Sequence, residues 1–217
     1  MSGSSHLRWQ PGETVVFAGD SITDAGLAFD GIRPFGEGFV RNVVDLLWAR
    51  YPRHGLSFYN TGVSGSTIGH VRDRWERDVV ARTPDWVVLL VGVNDLNHFV
   101  AGDQRGLGVM EFGEIHADLI ARGREVGARF VLMDPFLMAS PDTTDLVDRE
   151  RLIALGEYRR VIADAAARMD APHVPLHDIL QEQLEVRTDG PFYKEVVHPN
   201  ARGHLVIAHA LLSAIGW

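Results

Sequence analysis

The sequence predicts an α/β protein whose mainly parallel sheet is covered by helices on both faces. Short apolar, β-branched runs alternate along the chain with amphipathic stretches of ten or more residues, which is typical of right-handed βαβ crossovers. The most apolar run, residues 86–91 (WVVLLV), lacks polar alternation, as expected for a strand of a sheet that is buried on both sides. The 217 residues contain no repeat and no linker, so we expect a single domain over residues 1–217.

The first half of the chain predicts three strands and one helix. Residues 14–18 (TVVFA) form a buried-strand run, and residues 56–59 and 86–91 are two further strands. Residues 39–51 carry apolar side chains at helical spacing, namely Val43, Leu46, Leu47 and Tyr51. Polar or Gly-rich sequences follow each of the three strands. Because ligands of parallel sheets bind beyond the carboxyl ends of the strands, we expect the functional site at that edge.

The second half continues the alternation. Residues 112–126 form a helix with Ile115, Leu119 and Ile120 on one side, and residues 129–133 form a fourth strand. A long helix is expected over residues 150–169, and a shorter strand run over residues 173–176. Residues 201–215 form the terminal helix.

Composition restricts the partners that the protein can have. The chain has 21 basic and 29 acidic side chains, a net charge of −8, and no basic stretch, so nucleic acid is not an expected partner. It has no cysteine, which excludes disulfides and thiolate metal sites. The longest apolar run, residues 87–93, is far shorter than the roughly 18 residues that span a bilayer. The polar residues 1–10 lack the apolar core of a secretory signal, so we expect a cytoplasmic protein with no membrane partner, unless a leader is removed from the natural chain.

The first of four chemically informative blocks, residues 19–24 (GDSITD), follows the first strand directly. A serine that leaves a strand at a tight turn can present its hydroxyl to a cleft, and its backbone N–H can face a developing oxyanion. Ser21 is therefore a candidate nucleophile. The alternative is that Ser21 only caps a helix.

The second and third blocks follow the next two strands. Residues 60–66 (NTGVSGS) contain glycines that permit positive φ and a close approach of backbone N–H groups to a ligand; the alternative is a turn rich in small residues. Residues 92–95 (GVND) include Asn94, whose side-chain amide can donate to an oxyanion. The alternative for Asn94 is a helix cap or a turn.

The fourth block, residues 195–200 (EVVHPN), opens the terminal helix. His198 can reach a nucleophile across the cleft, and Glu195, three residues earlier, can hold the other ring nitrogen in the right tautomer. Two alternatives remain for the acid. A backbone carbonyl orients His198 while Glu195 is solvated, or Asp189 takes its place.

In this order, GDSIT, NxGxxG, GxND and HPN resemble the four signatures of SGNH (GDSL-like) hydrolases, over nearly the whole chain. The resemblance implies a flavodoxin-like α/β/α sandwich with a five-stranded parallel sheet. It implies that Ser21 is the nucleophile and His198 the general base, with an oxyanion hole formed by the N–H groups of Ser21 and Gly65 and the Asn94 side chain. The family usually has Asp three residues before the His, whereas this chain has Glu195, which is one methylene longer.

Other motifs narrow the chemistry further. GVSGS around Ser64 is not the G-x-S-x-G elbow of α/β-hydrolases, and we interpret Ser64 as structural. No G-x-G-x-x-G follows a strand and no H-E-x-x-H occurs, so neither a cofactor nor a metal is expected.

Three stretches resemble the acetylxylan esterase and carbohydrate acetylesterase branch in particular: VVFAGDSITDAG, GVSGSTIGHVRDRWERDVVARTPDWVVLLVGVND and VVHPNARGHLVIAHALL. The resemblance implies a serine esterase whose partner is a small-molecule ester, an acetylated carbohydrate such as acetylated xylo-oligosaccharide, and a possible homo-oligomer. The alternatives are a carboxylesterase, lysophospholipase or thioesterase with a longer acyl pocket, and a non-catalytic carbohydrate-binding protein that retains the fold.

Candidate substrate-binding residues lie near these blocks. They are Asp20, His98 and Tyr193, with Phe192 as a further ring that can stack on a sugar. Simple packing is the alternative for the aromatic and histidine side chains. The loops at residues 101–108 and 139–148 are expected to form the rim.

Overall fold

The computed structural model describes residues 7–27, 33–186 and 193–217. Five parallel strands form its sheet, namely β1 (Thr14–Gly19), β2 (Ser57–Asn60), β3 (Trp86–Leu90), β4 (Arg129–Met133) and β5 (His173–Val174). Their spatial order is β2-β1-β3-β4-β5. Every side chain of the central strand β3 is buried, which is why its sequence has no polar alternation.

Helices cover both faces of this sheet. They are α1 (Ser21–Asp24), α2 (Phe39–Arg50), α3 (Ile68–Asp73), α4 (Trp75–Asp78), α5 (Val93–Val100), α6 (Val109–Glu125), α7 (Leu146–Arg168), α8 (Leu176–Val186) and α9 (Ala201–Ala214), with a 3₁₀ turn at Val80–Arg82. Helix α2 packs on α9, and α6 packs on α7, so each pair forms an outer layer. The predicted three-layer α/β/α fold is confirmed.

Several predicted boundaries were wrong, for local reasons. The fifth strand ends at Val174 rather than at residue 176, because Pro175 has no N–H to continue the ladder, and α8 begins directly after it. Helix α7 begins at Leu146 rather than at residue 150, because the Asp145 carboxylate caps it by accepting the Asp148 N–H at 3.0 Å. The expected rim loop at residues 139–148 therefore ends inside a helix. Residues 101–108 contain neither helix nor strand.

A second, two-stranded antiparallel sheet lies beside the main one. It consists of β6 (Tyr193–Glu195) and β7 (His198–Pro199). The intervening Val196 accepts a hydrogen bond from the Met138 N–H at 2.6 Å. This contact fixes the small sheet to the segment that follows β4. No helix in the described ranges has both the length and the apolar content needed to cross a membrane.

Candidate active site

Ser21 lies where β1 turns into α1. The turn requires glycine at position 19, since a Cβ there would stand 2.2 Å from the Leu90 carbonyl oxygen. Asp20 is the N-cap of α1, and its carboxylate accepts the Ile22 N–H at 3.0 Å. Ser21 therefore does not cap this helix. Its Oγ is 2.9 Å from His198 Nε2.

His198 lies on β7 and stands opposite Glu195 in the register of the small sheet. Its Nδ1 is hydrogen-bonded to Glu195 Oε1. A ring that donates Nδ1–H to a carboxylate offers the Nε2 lone pair to the serine hydroxyl. The next helix is capped by Asn200, whose Oδ1 accepts the Arg202 N–H at 2.9 Å. Glu195 thus holds the position expected for it, whereas Asp189 falls outside the described residues.

The loop at residues 62–66 is held against the Ser21 turn by three hydrogen bonds. The Val63 N–H donates to the Gly19 carbonyl at 3.2 Å. The Ser64 N–H and hydroxyl both donate to Asp24 Oδ2, at 3.0 and 2.5 Å. Gly65 directly follows Ser64, with φ +78° and open space where a Cβ would be. No described residue accepts a hydrogen bond from the Gly65 N–H, so this donor is available to a ligand.

Asn94 is the second residue of α5, and Gly92 holds the N-cap position with φ +132°. Asn94 is therefore not the helix cap. Its Nδ2 donates one hydrogen bond to the Ser66 carbonyl at 3.0 Å, which ties the third block to the second. The amide has a second hydrogen that can serve an oxyanion.

The Ser21–His198 pair opens into a cavity of about 610 Å³, whose lining combines polar side chains with the apolar surface of Ala25, Gly26, Pro199 and Ala201. Besides the pair itself, the polar side chains include Glu37, Lys194, Glu195, Asn200 and His204. His204 accepts the Phe39 N–H at Nδ1 over 3.2 Å, and burial lowers the pKa of His204 to about 4, helped by the nearby charges of Lys194 and His198. It is therefore a neutral group in the cavity wall.

The three candidate substrate-binding residues lie outside this cavity lining. Asp20 is only 1% exposed, and its carboxylate caps α1, so its place is inside the scaffold. His98 faces Asp103, with its Nδ1 3.3 Å from Asp103 Oδ2. Tyr193 lines a separate cavity of about 390 Å³ beside Met138. Phe192 falls outside the described residues.

Two buried carboxyl groups adjoin proposed site residues in the chain. Asp20 precedes Ser21, and Asp95 follows Asn94. Burial raises the pKa of Asp95 to about 7, although both of its oxygens accept the Ile68 N–H. Burial, with a further increment from the charge of Asp95, raises the pKa of Asp20 to about 7, against the hydrogen bond from the Ile22 N–H. Among the described residues, no cluster of His, Asp and Glu side chains has the geometry of a metal site.

Sequence reasoning missed the side chains that hold the blocks together. Asn60, the first residue of the second block, donates from its Nδ2 to the Thr23 and Phe35 carbonyls at 2.7 and 3.1 Å. Asp24 and Arg74 were not singled out at all. The signal for Asp24 is its position as the final acid of GDSITD, and the signal for Asn60 is its position as the first residue of NTGVSGS. Arg74 has no such signal, because it lies in the middle of a charged, helical stretch.

The comparisons with known proteins agree with this geometry. A sequence model of the GDSL-like lipase/acylhydrolase family matches residues 17–206. An acetylxylan esterase from Geobacillus stearothermophilus is 32% identical over an alignment of 222 positions, gaps included, that covers 95% of each chain. The crystal structure of the acetylxylan esterase Axe2 from the same organism superposes with a TM-score of 0.87 at 30% identity, covering 97% of both chains. LAE5, an alpha/beta hydrolase from the metagenome of Lake Arreo, Spain, superposes with a TM-score of 0.85 at 28% identity, over 97% of this chain and 98% of its own. The chain therefore belongs to the GDSL-like lipase/acylhydrolase family and is a carboxylic ester hydrolase.

Proposed function

We propose that this enzyme removes acetyl groups from a carbohydrate, such as an acetylated xylo-oligosaccharide, through an acyl-enzyme on Ser21. The observation that carries the proposal is the 2.9 Å contact between Ser21 Oγ and His198 Nε2, in a chain 32% identical to an acetylxylan esterase. The Glu195 carboxylate on His198 Nδ1 completes the arrangement of a hydrolase triad.

The reaction proceeds in two halves. His198 Nε2 takes the hydroxyl proton of Ser21 while Oγ attacks the acetyl carbonyl carbon. The oxyanion is stabilised by the N–H groups of Ser21 and Gly65 and by the Asn94 amide. When the tetrahedral intermediate collapses, the C–O bond to the sugar breaks, and His198 returns the proton to the departing alkoxide. Water, deprotonated by His198, then attacks the carbonyl carbon of the acetyl-enzyme. The bond from that carbon to Oγ breaks, His198 returns the proton to Ser21 Oγ, and the acetic acid that leaves ionises to acetate.

The cavity supports a hydroxyl-rich alcohol over a lipid chain. Charged and polar groups, among them Glu37, Lys194 and His204, line the space in front of Ser21. Such groups can exchange hydrogen bonds with sugar hydroxyls, whereas an acyl chain of eight carbons would remove them from water and offer them no hydrogen-bond partner.

The test is a comparison of initial hydrolysis rates on p-nitrophenyl acetate, butyrate and octanoate, followed by acetate release from acetylated xylo-oligosaccharides. Wild type, Ser21→Ala and the exposed control Ser213→Ala are assayed side by side. We expect acetate to be the fastest aryl ester, Ser21→Ala to be inactive and Ser213→Ala to match wild type. A preference for octanoate would favour the lysophospholipase or thioesterase alternative. Wild-type rates in Ser21→Ala, or failure of a serine-reactive phosphonate to label the folded protein, would overturn the proposal.

Two further expectations stay predictions. The first is the cytoplasmic location, which cell fractionation of the native source tests. The second is the homo-oligomer, which light scattering of the purified enzyme tests. The absence of nucleic-acid and membrane partners is also a prediction, which rests on the net charge of −8 and the short apolar runs.

A further inference from the structure

A buried cation lies beneath the strand ends that carry the site. Arg74 separates α3 from α4, and its side chain is 11% exposed. Its Nη2 donates to the Gly19 carbonyl at 2.8 Å, and its Nη1 donates to the Thr61 carbonyl at 2.5 Å. A longer contact of 3.5 Å joins Nη2 to Ser66 Oγ. One guanidinium therefore contacts the chain at the end of β1 and at both ends of the 62–66 loop.

Each contacted residue is close in the sequence to a proposed oxyanion donor. Gly19 is two residues before Ser21, and its carbonyl also accepts the Val63 N–H at 3.2 Å. Thr61 directly precedes the loop that presents Gly65. The carbonyl of Ser66 at the far end of that loop accepts the Asn94 amide at 3.0 Å. Arg74 thus contacts the backbone of Gly19 and Thr61 directly, and it is linked to Asn94 only through Ser66.

The arrangement suits an arginine and no other side chain. One carbonyl lies at the end of β1 and the other directly after β2, and only the planar, forked guanidinium presents several N–H groups in fixed directions to both. Its charge is balanced by Asp78, whose Oδ2 is 3.2 Å from Nη1. Arg74 is not among the residues that line the cavity, so it does not meet the substrate there.

We propose that Arg74 is a positioning residue for ester hydrolysis. By holding the Gly19 and Thr61 carbonyls together, it sets the spacing between the Ser21 N–H on one side and the Gly65 N–H and Asn94 amide on the other. The inference rests on the proposed function, because it assigns those three donors to the oxyanion. Since the donors act on charge that develops in the transition state, displacing them lowers kcat more than it raises KM.

The experiment compares Arg74→Ala and Arg74→Lys with wild type and a matched control. Arg77→Ala is the control, because Arg77 also pairs with Asp78, at 2.7 Å, but is 76% exposed and contacts no carbonyl of the site. We expect kcat on p-nitrophenyl acetate to fall about 30- to 100-fold in Arg74→Ala, with KM changed by less than about threefold. Arg74→Lys, which keeps the charge but not the fork, remains at least about tenfold impaired. Arg77→Ala matches wild type.

Two readouts separate positioning from a general loss of stability. Added ethylguanidinium at millimolar concentration is expected to restore part of kcat in Arg74→Ala and to leave Arg77→Ala unchanged. Affinity for a boronic acid that forms a tetrahedral adduct with Ser21 is expected to fall in parallel with kcat. Wild-type kcat in folded Arg74→Ala, or a rise in KM alone, would overturn the inference.

A second variant covers the case in which Arg74→Ala does not fold. Asp78→Asn keeps the guanidinium and both carbonyls but removes the carboxylate that orients Nη1. We expect a fall in kcat of about three- to tenfold at unchanged KM, and wild-type kcat in Asp78→Asn would then overturn the inference. Activity in Ser21→Ala would overturn the proposed function and this inference together. Inactive Ser21→Ala with fully active Arg74→Ala would overturn this inference alone.

Discussion

Glu195 and His198 face each other across the two-stranded sheet, and the Nδ1–H of His198 donates to the Glu195 carboxylate. The antiparallel pairing of β6 with β7 by itself places the Glu195 carboxylate next to the His198 ring, although Glu is one methylene longer than the Asp that the family usually has. The Glu195 side chain is 63% exposed and that of His198 is 40% exposed. Solvent therefore takes over part of the stabilisation that a buried acid would give to the imidazolium.

Glu195→Ala is expected to lose less activity than His198→Ala. Removing the base should lower kcat/KM on p-nitrophenyl acetate by about 10³-fold or more, whereas removing this exposed acid should lower it by about 10- to 100-fold. The control is Glu182→Ala, an exposed acid on α8. Equal losses would mean that acid and base act as one unit, and no loss would remove Glu195 from the mechanism.

Asn94→Ala is expected to lower kcat by about 10²- to 10³-fold with little change in KM, because one oxyanion donor is lost. The half-buried Asn42 of α2 supplies the control Asn42→Ala, which should retain wild-type kcat. Measuring kcat and KM separately is essential here. An effect confined to KM would assign Asn94 to ground-state binding of substrate.

Asp24→Ala should release the 62–66 loop, because the carboxylate accepts both the Ser64 N–H and the Ser64 hydroxyl. We expect kcat to fall about tenfold, which corresponds to about 1.4 kcal/mol of transition-state stabilisation. Ser64→Ala is the matched variant, since it removes the hydroxyl and keeps the backbone contact. Its kcat should fall less, and the reverse order would show that the hydroxyl does more than hold the loop.

Asp95→Asn is expected to change how stability depends on pH. Burial raises the folded-state pKa of Asp95 to about 7, above the unfolded value of about 3.9. Its contribution to stability is therefore fully present below about pH 4 and is lost as the pH rises towards 7. Urea denaturation at about pH 4.5, 6 and 7.5 should show the free energy of unfolding of Asp95→Asn improving relative to wild type as pH rises, by about 1–4 kcal/mol.

The exposed Asp164 of α7 supplies the control for this pH series. Asp164→Asn should follow the wild-type curve in parallel. A constant difference between Asp95→Asn and wild type across the same range would mean that Asp95 is ionised in the folded protein throughout.

Sequence reasoning located the strands and the chemical blocks because both depend on short-range pattern. Unbroken apolar runs marked β3 and β4, and the order of the blocks pointed to Ser21 and His198, which the structure brings within 2.9 Å. The fold class and the family were confirmed. Local pattern failed at Pro175, where the chain turns from strand to helix, and at α5, because no helix was predicted over residues 93–100.

The sequence by itself determined the fold class, the family and the identity of the groups proposed to carry the chemistry. Only the tertiary structure decided that Asp20 is buried as a helix cap, that His98 turns to Asp103, and that Arg74 reaches the Gly19 and Thr61 carbonyls. The physical reason is that the period of apolar residues reports which face of an element is buried. The partner of a polar side chain depends instead on which strand ends the crossovers bring together.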